Sequence, residues 1–485
     1  MSASQRLAEH VAIWQRRLRE YLFASDGFAA ECTSKACVVE TWQRLNNIAQ
    51  ELRAHIGQLA AVPSRSGREA PPYLCRQAKR LWARLEALIA DWHDLPLPED
   101  FLHWDFGLSA ARHRMLAAAE CLLRLVGYLP VQTAAQLPLM DGLLALLESL
   151  EQSGKALCRA TLLLAAEKRQ VDRLARGIEL LAQGQSFGRS LLEELAHWHL
   201  AAARTDRPIL WLVEASDTPW QYAARRGWNI AQVLARVVAR DDESDRDRCA
   251  LLMAALLADA GMAGLPAHLM RQPPPSAAAS LWESHVELSL AYARRIVGLP
   301  DRTLQAIAQH HEHADGTGFP EGRAGSSIAP GARLLTACDR YAALCVHRPG
   351  QRARSPRAAL AEVLFEAAKG RLDAAATQRL LCLSFYPTGT FVELNDGRRG
   401  LTLQPDVAIA DLEAAQRPAV RLLGDAPPAW DDVVQLRRMP NLRISCALWP
   451  EQVSAVLGPD AWQWFFALVR PEDGSVSCGD CPLDT

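Results

Sequence analysis

The chain has 485 residues, of which 49% are hydrophobic and 22% charged, and its formal net charge is −2. This is the composition of a soluble globular protein with room for several domains, and its near-neutral charge provides no basic field for nucleic acid. No apolar run reaches the roughly 18 residues of a membrane span. The 12 scattered cysteines are typical of buried thiols in a reducing compartment. We therefore expect a cytoplasmic protein with no membrane span and no DNA partner.

The first 205 residues carry apolar side chains at spacings of three and four, with little β-branched alternation, which predicts a helical bundle. We expect breaks at several turn-forming positions, including Gly154. From Lys155 to Gln183 the same spacing continues with charges between, which predicts one long helix. Two interpretations stay open for it: a helix of the bundle, or a short coiled coil that would make the chain a homodimer.

A second helical region is predicted up to about residue 385, and the pattern changes after it. Residues 390–394 and 400–404 are strand-like and flank an Asn-Asp-Gly turn, which indicates a hairpin. Residues 417–423 and 442–446 are further strand candidates. The predicted fold class is mainly α, with an N-terminal helical bundle (1–205), a helical domain (206–385) and a small β-containing C-terminal module (386–485). Cys478 and Cys481 form a lone CxxC without a second ligand pair nearby, so we expect a tail there and no zinc site.

The stretch HHEHADGTGFPEG, residues 310–322, carries the clearest chemistry. Neutral imidazoles bind transition metals, but consecutive histidines on a regular helix point about 100° apart. Use of both His310 and His311 would thus need two neighbouring metals or a distorted helix end. Glu312 is placed to orient a metal-ligating side chain by a hydrogen bond, without binding the metal itself. The rest predicts a tight, stiff loop, formed by Asp315, Gly316, Gly318, Phe319 and Pro320.

The combination HHExxDGxG followed by an aromatic residue and proline resembles the signature of the HD-GYP family, with Phe319 in place of tyrosine. Residues 326–344, SSIAPGARLLTACDRYAAL, resemble the family's IPxxARIxxVADxYDAL, and Asp339 takes the place of its metal-ligating aspartate. Residues 283–297 are similar to the family helix whose histidine ligand corresponds to His285. Residues 385–400 resemble the element YPxGxxVxLxDGxxG. The resemblance runs from about residue 217 to beyond 440.

This sequence departs from the family pattern at the residues that define its catalytic centre. Asp259 of the His-Asp pair is kept, but Ala258 replaces the histidine and Met262 the lysine of that motif. Arg226 stands at another histidine position, and Tyr222 at an acid one turn earlier. Alanine cannot ligate a metal, and arginine, always protonated, brings a cation to a place meant for one.

The resemblance implies a surviving set of metal ligands: Asp259, His285, His310, His311 and Asp339. Five ligands suffice for one iron or manganese ion but are too few for the family's two- or three-metal centre. A metal-free core is the second interpretation, since the Arg226 guanidinium can neutralise Asp259 or Asp339. Arg226 can also bind phosphate, and Arg333 either faces phosphate or forms a structural salt bridge. Asp259 is the remaining, weak, catalytic candidate.

The family's role implies bacterial cyclic-di-GMP signalling, with contacts to diguanylate cyclase domains or other signalling proteins. The leading hypothesis is a protein with an incomplete metal site that binds a nucleotide or a partner and turns over little or nothing. Whether it is an enzyme stays open at this point, because Ala258 and Met262 replace catalytic groups. The alternatives are a weakened metal-dependent phosphodiesterase and a scaffold whose N-terminal helices bind a partner protein.

Overall fold

The fold is given by a computed structural model of the chain. It describes residues 72–93, 95, 108–127, 137–205, 207–216, 218–240, 243–270, 279–346, 352–403, 412–425, 430–448, 450–458 and 461–468. The predicted CxxC at Cys478 and Cys481 lies outside these residues. The mainly helical fold class with a small sheet near the C-terminus is confirmed, whereas the three domain boundaries stay a prediction.

The described part of the N-terminal region consists of three helices that pack on one another, followed by a fourth. They are α1 (Pro72–His93), α2 (Leu108–Gly127), α3 (Leu137–Ala182) and α4 (Arg189–Ala203). The long predicted helix exists, but the expected break at Gly154 is wrong, because α3 runs through it. A Cβ at Gly154 would lie 2.5 Å from the Trp92 ring, so this glycine permits close packing of α1 on α3.

The apolar face of α3 is buried within this chain. Leu164, Leu174, Ile178 and Leu181 are all at most 1% exposed, and α3 packs against α1, α2 and the helix that follows Thr218. This favours the interpretation of a bundle helix over that of an exposed coiled-coil seam.

The central region contains the residues that resemble the family motifs. Its α-helices are α5 (Pro219–Val238), α6 (Asp245–Leu257), α7 (Ala279–Glu283), α8 (His285–Ala293), α9 (Asp301–Gln309), α10 (Pro330–Cys345), α11 (Pro356–Ala368) and α12 (Ala374–Gln378). Short 3-10 helices follow at Ala260–Gly264, Ala267–Met270, Gly325–Ser327 and Arg379–Leu383.

Local sequence explains several of these helix starts. Proline occupies the first turn of α5, α10 and α11, where its missing N–H costs nothing. The Ser244 side chain caps α6 by accepting from the Asp247 N–H, and Ser355 and Asp373 cap α11 and α12 in the same way. Helix α5 is almost wholly buried, and it packs against α3, α4, α6 and α10.

The C-terminal sheet has five antiparallel strands in the order β4-β3-β2-β1-β5. The strands are β1 (Phe391–Leu394), β2 (Arg399–Thr402), β3 (Ala419–Leu423), β4 (Trp430–Gln435) and β5 (Ile444–Ala447). Between them and after them lie α13 (Leu412–Gln416), a 3-10 turn (Leu436–Arg438), α14 (Pro450–Leu457) and α15 (Trp462–Leu468).

Four of these strands fall on predicted segments, and β4 was missed. Its WDDVVQ sequence places Asp431 and Asp432 on the exposed edge of the sheet, where charge discourages pairing with another chain. Helix α15 packs back on the long helix α3, so the buried residues form a continuous core through all three regions. None of the helices in the described ranges is long and apolar enough to cross a membrane.

Candidate metal centre

An extended segment, residues 207–214, approaches one face of α5 and is held there by buried side-chain amides. The Gln232 amide donates to the Leu210 carbonyl and accepts from the Leu210 N–H, both at 2.8 Å. One turn closer to the start of α5, the Asn229 amide does the same for Leu212, at 2.9 and 3.0 Å. These bonds satisfy the backbone N–H and C=O groups of Leu210 and Leu212. They also direct Glu214 towards the next turn of the helix.

Asp259 follows the end of α6 and starts the 3-10 turn at residues 260–264. A Cβ at Gly261 would lie 2.1 Å from the His285 carbonyl, so only glycine lets this turn lie against α8. The Gly261 N–H donates to the Ser289 hydroxyl at 2.8 Å, which fixes the contact. This close approach brings the Asp259 carboxylate to 3.6 Å from Nε2 of His285.

The two consecutive histidines lie at the end of α9 and do not share regular helix geometry. His310 is the C-cap of α9 and His311 lies in the following turn. Their rings are 4.1 Å apart between centroids and inclined by 40°. Of the two geometries that would let both histidines serve, the structure has the distorted helix end.

The tight loop that follows the histidine pair packs against His311. The Phe319 N–H donates to the His311 carbonyl at 3.1 Å, and a Cβ at Gly318 would lie 2.4 Å from that same oxygen. The Phe319 ring packs on the His311 ring with centroids 4.7 Å apart. Asp315 accepts from the Thr317 N–H at 2.9 Å, and Gly316 has a φ of 78°, so these motif residues shape the loop.

Glu312 is held by the loop that follows the histidines, and its expected role in orienting a ligand stays a prediction. Its two carboxylate oxygens accept from the backbone N–H groups of Glu321 and Arg323, both at 2.8 Å. These bonds satisfy a buried carboxylate, because the loop supplies a donor to each of its oxygens.

Four predicted ligands converge on one point. Asp259, His285, His310 and His311 each offer a ligand atom, and these atoms all lie within 4.8 Å of one another. Nδ1 of His285 lies 2.6 Å from the Trp282 carbonyl, and Nδ1 of His310 lies 2.8 Å from the Ile307 carbonyl. A carbonyl accepts only a proton-bearing nitrogen, so each ring keeps its lone pair on Nε2.

The cluster fits a metal ion because most of its ligand atoms are buried and lack hydrogen bonds. Among the described residues, neither Nε2 of His285 and His310 nor either oxygen of Asp259 has a hydrogen bond. Burial lowers the pKa of His285 to about 4 and also lowers that of His310, while burial and the neighbouring imidazoles place the pKa of His311 well below its ordinary value. The three rings are therefore neutral, as metal binding requires.

Asp339, the fifth predicted ligand, faces Arg226 as well as the histidines. Its Oδ2 lies 3.9 Å from Nδ1 of His311, and its Oδ1 accepts from the Nη2 of Arg226 at 2.9 Å. Nε of Arg226 lies 2.9 Å from Oδ2 of Asp259, without the alignment of a hydrogen bond. Nη1 lies 3.5 Å from a carboxylate oxygen of Glu214. The guanidinium thus sits among three carboxylates.

The charges of Arg226 and its neighbouring carboxylates shift one another's pKa values. Burial raises the pKa of Asp339 to about 7 and that of Glu214 to about 7, against the opposing charge of Arg226. Burial also works to raise the pKa of Asp259, but Arg226 outweighs it and holds the value below normal. The side chains of Tyr222 and Arg226 form a further hydrogen bond.

The other predicted residues are not among the four clustered ligands. Arg333 donates to Asp373 at 2.6 Å, which favours its interpretation as a structural salt bridge; a phosphate contact stays a prediction. Ala258 and Met262 are fully buried in the apolar core. Sequence reasoning missed Glu214, because the only local signal is an acid that ends the apolar run ILWLV.

The four clustered residues lie within the part of the chain that resembles known proteins. A family model described as an HD domain matches residues 207–376. A 3'3'-cGAMP-specific phosphodiesterase of Vibrio cholerae is 37% identical over 136 residues, which are 27% of this chain and 29% of that protein. A cyclic di-GMP phosphodiesterase of Pseudomonas aeruginosa is 34% identical over 98 residues, 20% of this chain and 23% of that protein.

The matched part therefore spans less than a third of either relative. Among solved structures, an HDG"Y"P protein from Bdellovibrio bacteriovorus is 15% identical, with a TM-score of 0.36 over 52% of this chain and 80% of that one.

Proposed function

The chain belongs to the HD-GYP family, and from that premise we propose that it is a bacterial cyclic-dinucleotide signalling protein that binds its nucleotide or a partner with little or no hydrolysis. In this proposal, Asp259, His285, His310 and His311 hold one metal ion. The observation that carries it is the position of the Arg226 guanidinium, 2.9 Å from both Asp259 and Asp339. A fixed cation there occupies the space that a second metal would need.

Charge balance supports a single divalent ion. When ionised, Glu214, Asp259 and Asp339 carry three negative charges around one guanidinium, which leaves a net charge of about −2 in a buried site. One divalent cation would neutralise this excess, whereas a second would leave an uncompensated positive charge. The set of imidazoles and a carboxylate suits iron or manganese among other transition metals.

Limited access supports the low turnover. The side chains of Asp259 and His285 are wholly buried, and the part of the cluster that reaches solvent is His311, at 19% exposure, with Asp339 at 10%. Arg226 is only 3% exposed and committed to carboxylates, so it does not offer its guanidinium to a phosphate. A nucleotide would thus meet the centre from the side of His311 and Phe319.

A bound ion would supply Lewis-acid activation of a phosphate oxygen or a water molecule. The chain's own contribution is to keep the imidazoles neutral by burying them and to orient them through the carbonyls of Trp282 and Ile307. Met262, in the core, offers no proton to a leaving group, and this is the physical reason to expect binding without efficient cleavage.

The nucleotide class comes from the relatives, whose names specify 3'3'-cGAMP and cyclic di-GMP. The test is isothermal titration of the manganese-loaded protein with each of these two dinucleotides, with hydrolysis followed in parallel by chromatography. We expect saturable binding with negligible product. His310→Ala with His311→Ala should abolish metal-dependent binding, and His313→Ala, outside the metal cluster, is the matched control.

A weakened phosphodiesterase with one metal at His285, His310, His311 and Asp339 is the second candidate, favoured by the unpaired imidazole nitrogens. It predicts slow hydrolysis that the double histidine variant removes. Slow but sustained turnover by the wild-type protein that the double variant removes would support this candidate, and robust turnover would contradict our main proposal. If neither binding nor turnover is found, the role passes to the N-terminal helices as a partner-binding scaffold.

A further inference from the structure

More carboxylates surround Arg226 than its single positive charge can neutralise. Three carboxylates lie within 3.5 Å of its guanidinium, and each belongs to a different part of the fold: Glu214, Asp259 and Asp339. We propose that these three residues form a second cation site, in which the Arg226 guanidinium replaces a metal ion and Glu214 is the positioning residue that holds it. The inference rests on the proposed one-metal centre next to it but has its own test.

The burial of the cluster shows that a cation belongs there. Arg226 is 3% exposed and Glu214 is 2% exposed, so neither charge is solvated by water. Both oxygens of Asp259 are buried and lack an aligned hydrogen bond to any described residue. Such a carboxylate is costly to bury unless a cation lies against it.

Glu214 reaches this position through the pairing of its segment with α5. Leu210 and Leu212 pair with Gln232 and Asn229, which are three residues apart on one face of the helix. Arg226 lies three residues before Asn229 on the same face of the helix. Glu214 lies two residues after Leu212 on the same side of the extended segment. The ion pair between them therefore continues the same register, which makes Glu214 a built part of the site.

We call the three carboxylates of Glu214, Asp259 and Asp339 the cage. A guanidinium and a divalent ion would neutralise the cage in different ways. Arginine stays protonated and presents N–H groups in a fixed plane, so it can face carboxylates on several sides. It supplies one positive charge and no open coordination position. Removing it should leave three carboxylates able to hold a hard or borderline divalent cation.

The experiment counts manganese ions per chain by elemental analysis after equilibrium dialysis. We expect one ion in the wild type and in Arg226→Lys, and two in Arg226→His, which exchanges the cation for a ligand. Adding Glu214→Gln to Arg226→His should return the count to one. Arg226→Ala provides an independent test. This variant should also bind a second manganese ion, and free guanidinium added at millimolar concentration should displace that ion.

The outcomes separate this inference from the proposed function. A wild type without manganese would reject the one-metal proposal, while a gain of one ion in Arg226→His would still support the cage. A folded Arg226→His with no additional ion, or two ions in Arg226→His with Glu214→Gln, would overturn the inference. If the Arg226 variants do not fold, Glu214→Gln alone must lower the melting temperature more than the exposed Glu194→Gln; equal losses would also overturn it.

Discussion

At the scale of single residues, small changes decide which cations this protein can hold. The Arg226 guanidinium does not hold the candidate ligands His285, His310 and His311, because each is fixed by its own backbone contact or loop. The substitutions at Ala258 and Met262 are compatible with the core, where both side chains are fully buried. The described geometry therefore supports our proposal of one metal position beside one internal cation.

Gly318 tests how the loop supports the histidines. Replacing it by alanine would place a Cβ 2.3 Å from the His313 nitrogen and 2.4 Å from the His311 carbonyl, closer than any real contact. We expect Gly318→Ala to displace His311 and weaken manganese binding at least tenfold, measured by titration calorimetry. Gly188→Ala, whose new methyl would meet only the Ser190 hydroxyl at 3.4 Å, should leave the affinity unchanged. Equal affinities in both variants would show that the loop does not position the ligand.

His199, away from the metal centre, is a buried and neutral histidine. Its ring lies 4.2 Å from that of Trp228, and its Nε2 has no hydrogen bond to the described residues. Burial, with the nearby charges of Arg236 and Arg207, lowers its pKa to about 3. Because the unfolded chain binds this proton below pH 6.5 and the folded chain does not, acid destabilises the fold through His199.

The consequence is a pH-dependent effect of His199→Leu. Between pH 6.5 and about 3, the wild type should lose about 1.4 kcal/mol of unfolding free energy per pH unit through this group. Relative to the wild type, the variant should therefore gain about 2 kcal/mol on going from pH 7 to pH 5, measured by urea denaturation. The exposed His197→Leu on the same helix is the control, and a constant difference between the wild type and His199→Leu would refute the assignment.

At the scale of elements, the extended segment at residues 207–214 links the long helix to the site. At its start, Arg207 forms a short, largely buried ion pair with Glu167 on α3, and at its end Glu214 meets Arg226. Between these points, Asn229 and Gln232 replace the hydrogen bonds that a neighbouring strand would provide. The segment is therefore a fixed connection between the N-terminal helices and the metal centre.

Asn229→Leu measures the strength of this connection. The variant leaves the buried N–H and C=O of Leu212 without their partner, and each unpaired group costs about 1–3 kcal/mol. We expect a loss of at least about 2 kcal/mol in the free energy of unfolding, measured in urea. Gln183→Leu, which removes only an exposed amide contact to Glu179, should change stability little. A similar small change in both would mean that water replaces the amide.

At the scale of the whole molecule, the buried residues form one core from the helices at residue 81 to those at residue 468. The candidate metal ligands come from three places along the chain: the end of α6, the start of α8 and the end of α9. A bound ion therefore joins segments that are far apart in sequence and should stabilise the fold as a whole.

Metal removal tests this link. A ligand present at 100 times its dissociation constant adds about 2.7 kcal/mol to the folded state. We expect a chelator to lower the melting temperature of the manganese-loaded wild type by several degrees and to leave that of His310→Ala with His311→Ala unchanged. The same shift in both proteins would place the stabilising ion elsewhere.

The sequence by itself determined the residue types and their local setting. The motifs identified the family, the helical class, four of the five strands and the five candidate ligands, because ligand chemistry and periodicity are properties of short stretches. It also showed that Arg226, Ala258 and Met262 remove parts of the family's catalytic pattern.

Only the tertiary structure decided what those residues meet. It placed Arg226 between Asp259 and Asp339, brought in Glu214, and turned the end of α9 so that both histidines face one point. The sequence suggested that Arg226 could neutralise Asp259 or Asp339, but it did not indicate Glu214, which approaches Arg226 only because its segment packs against α5. The sequence gives the charge of each side chain, but the tertiary structure determines which partner neutralises it.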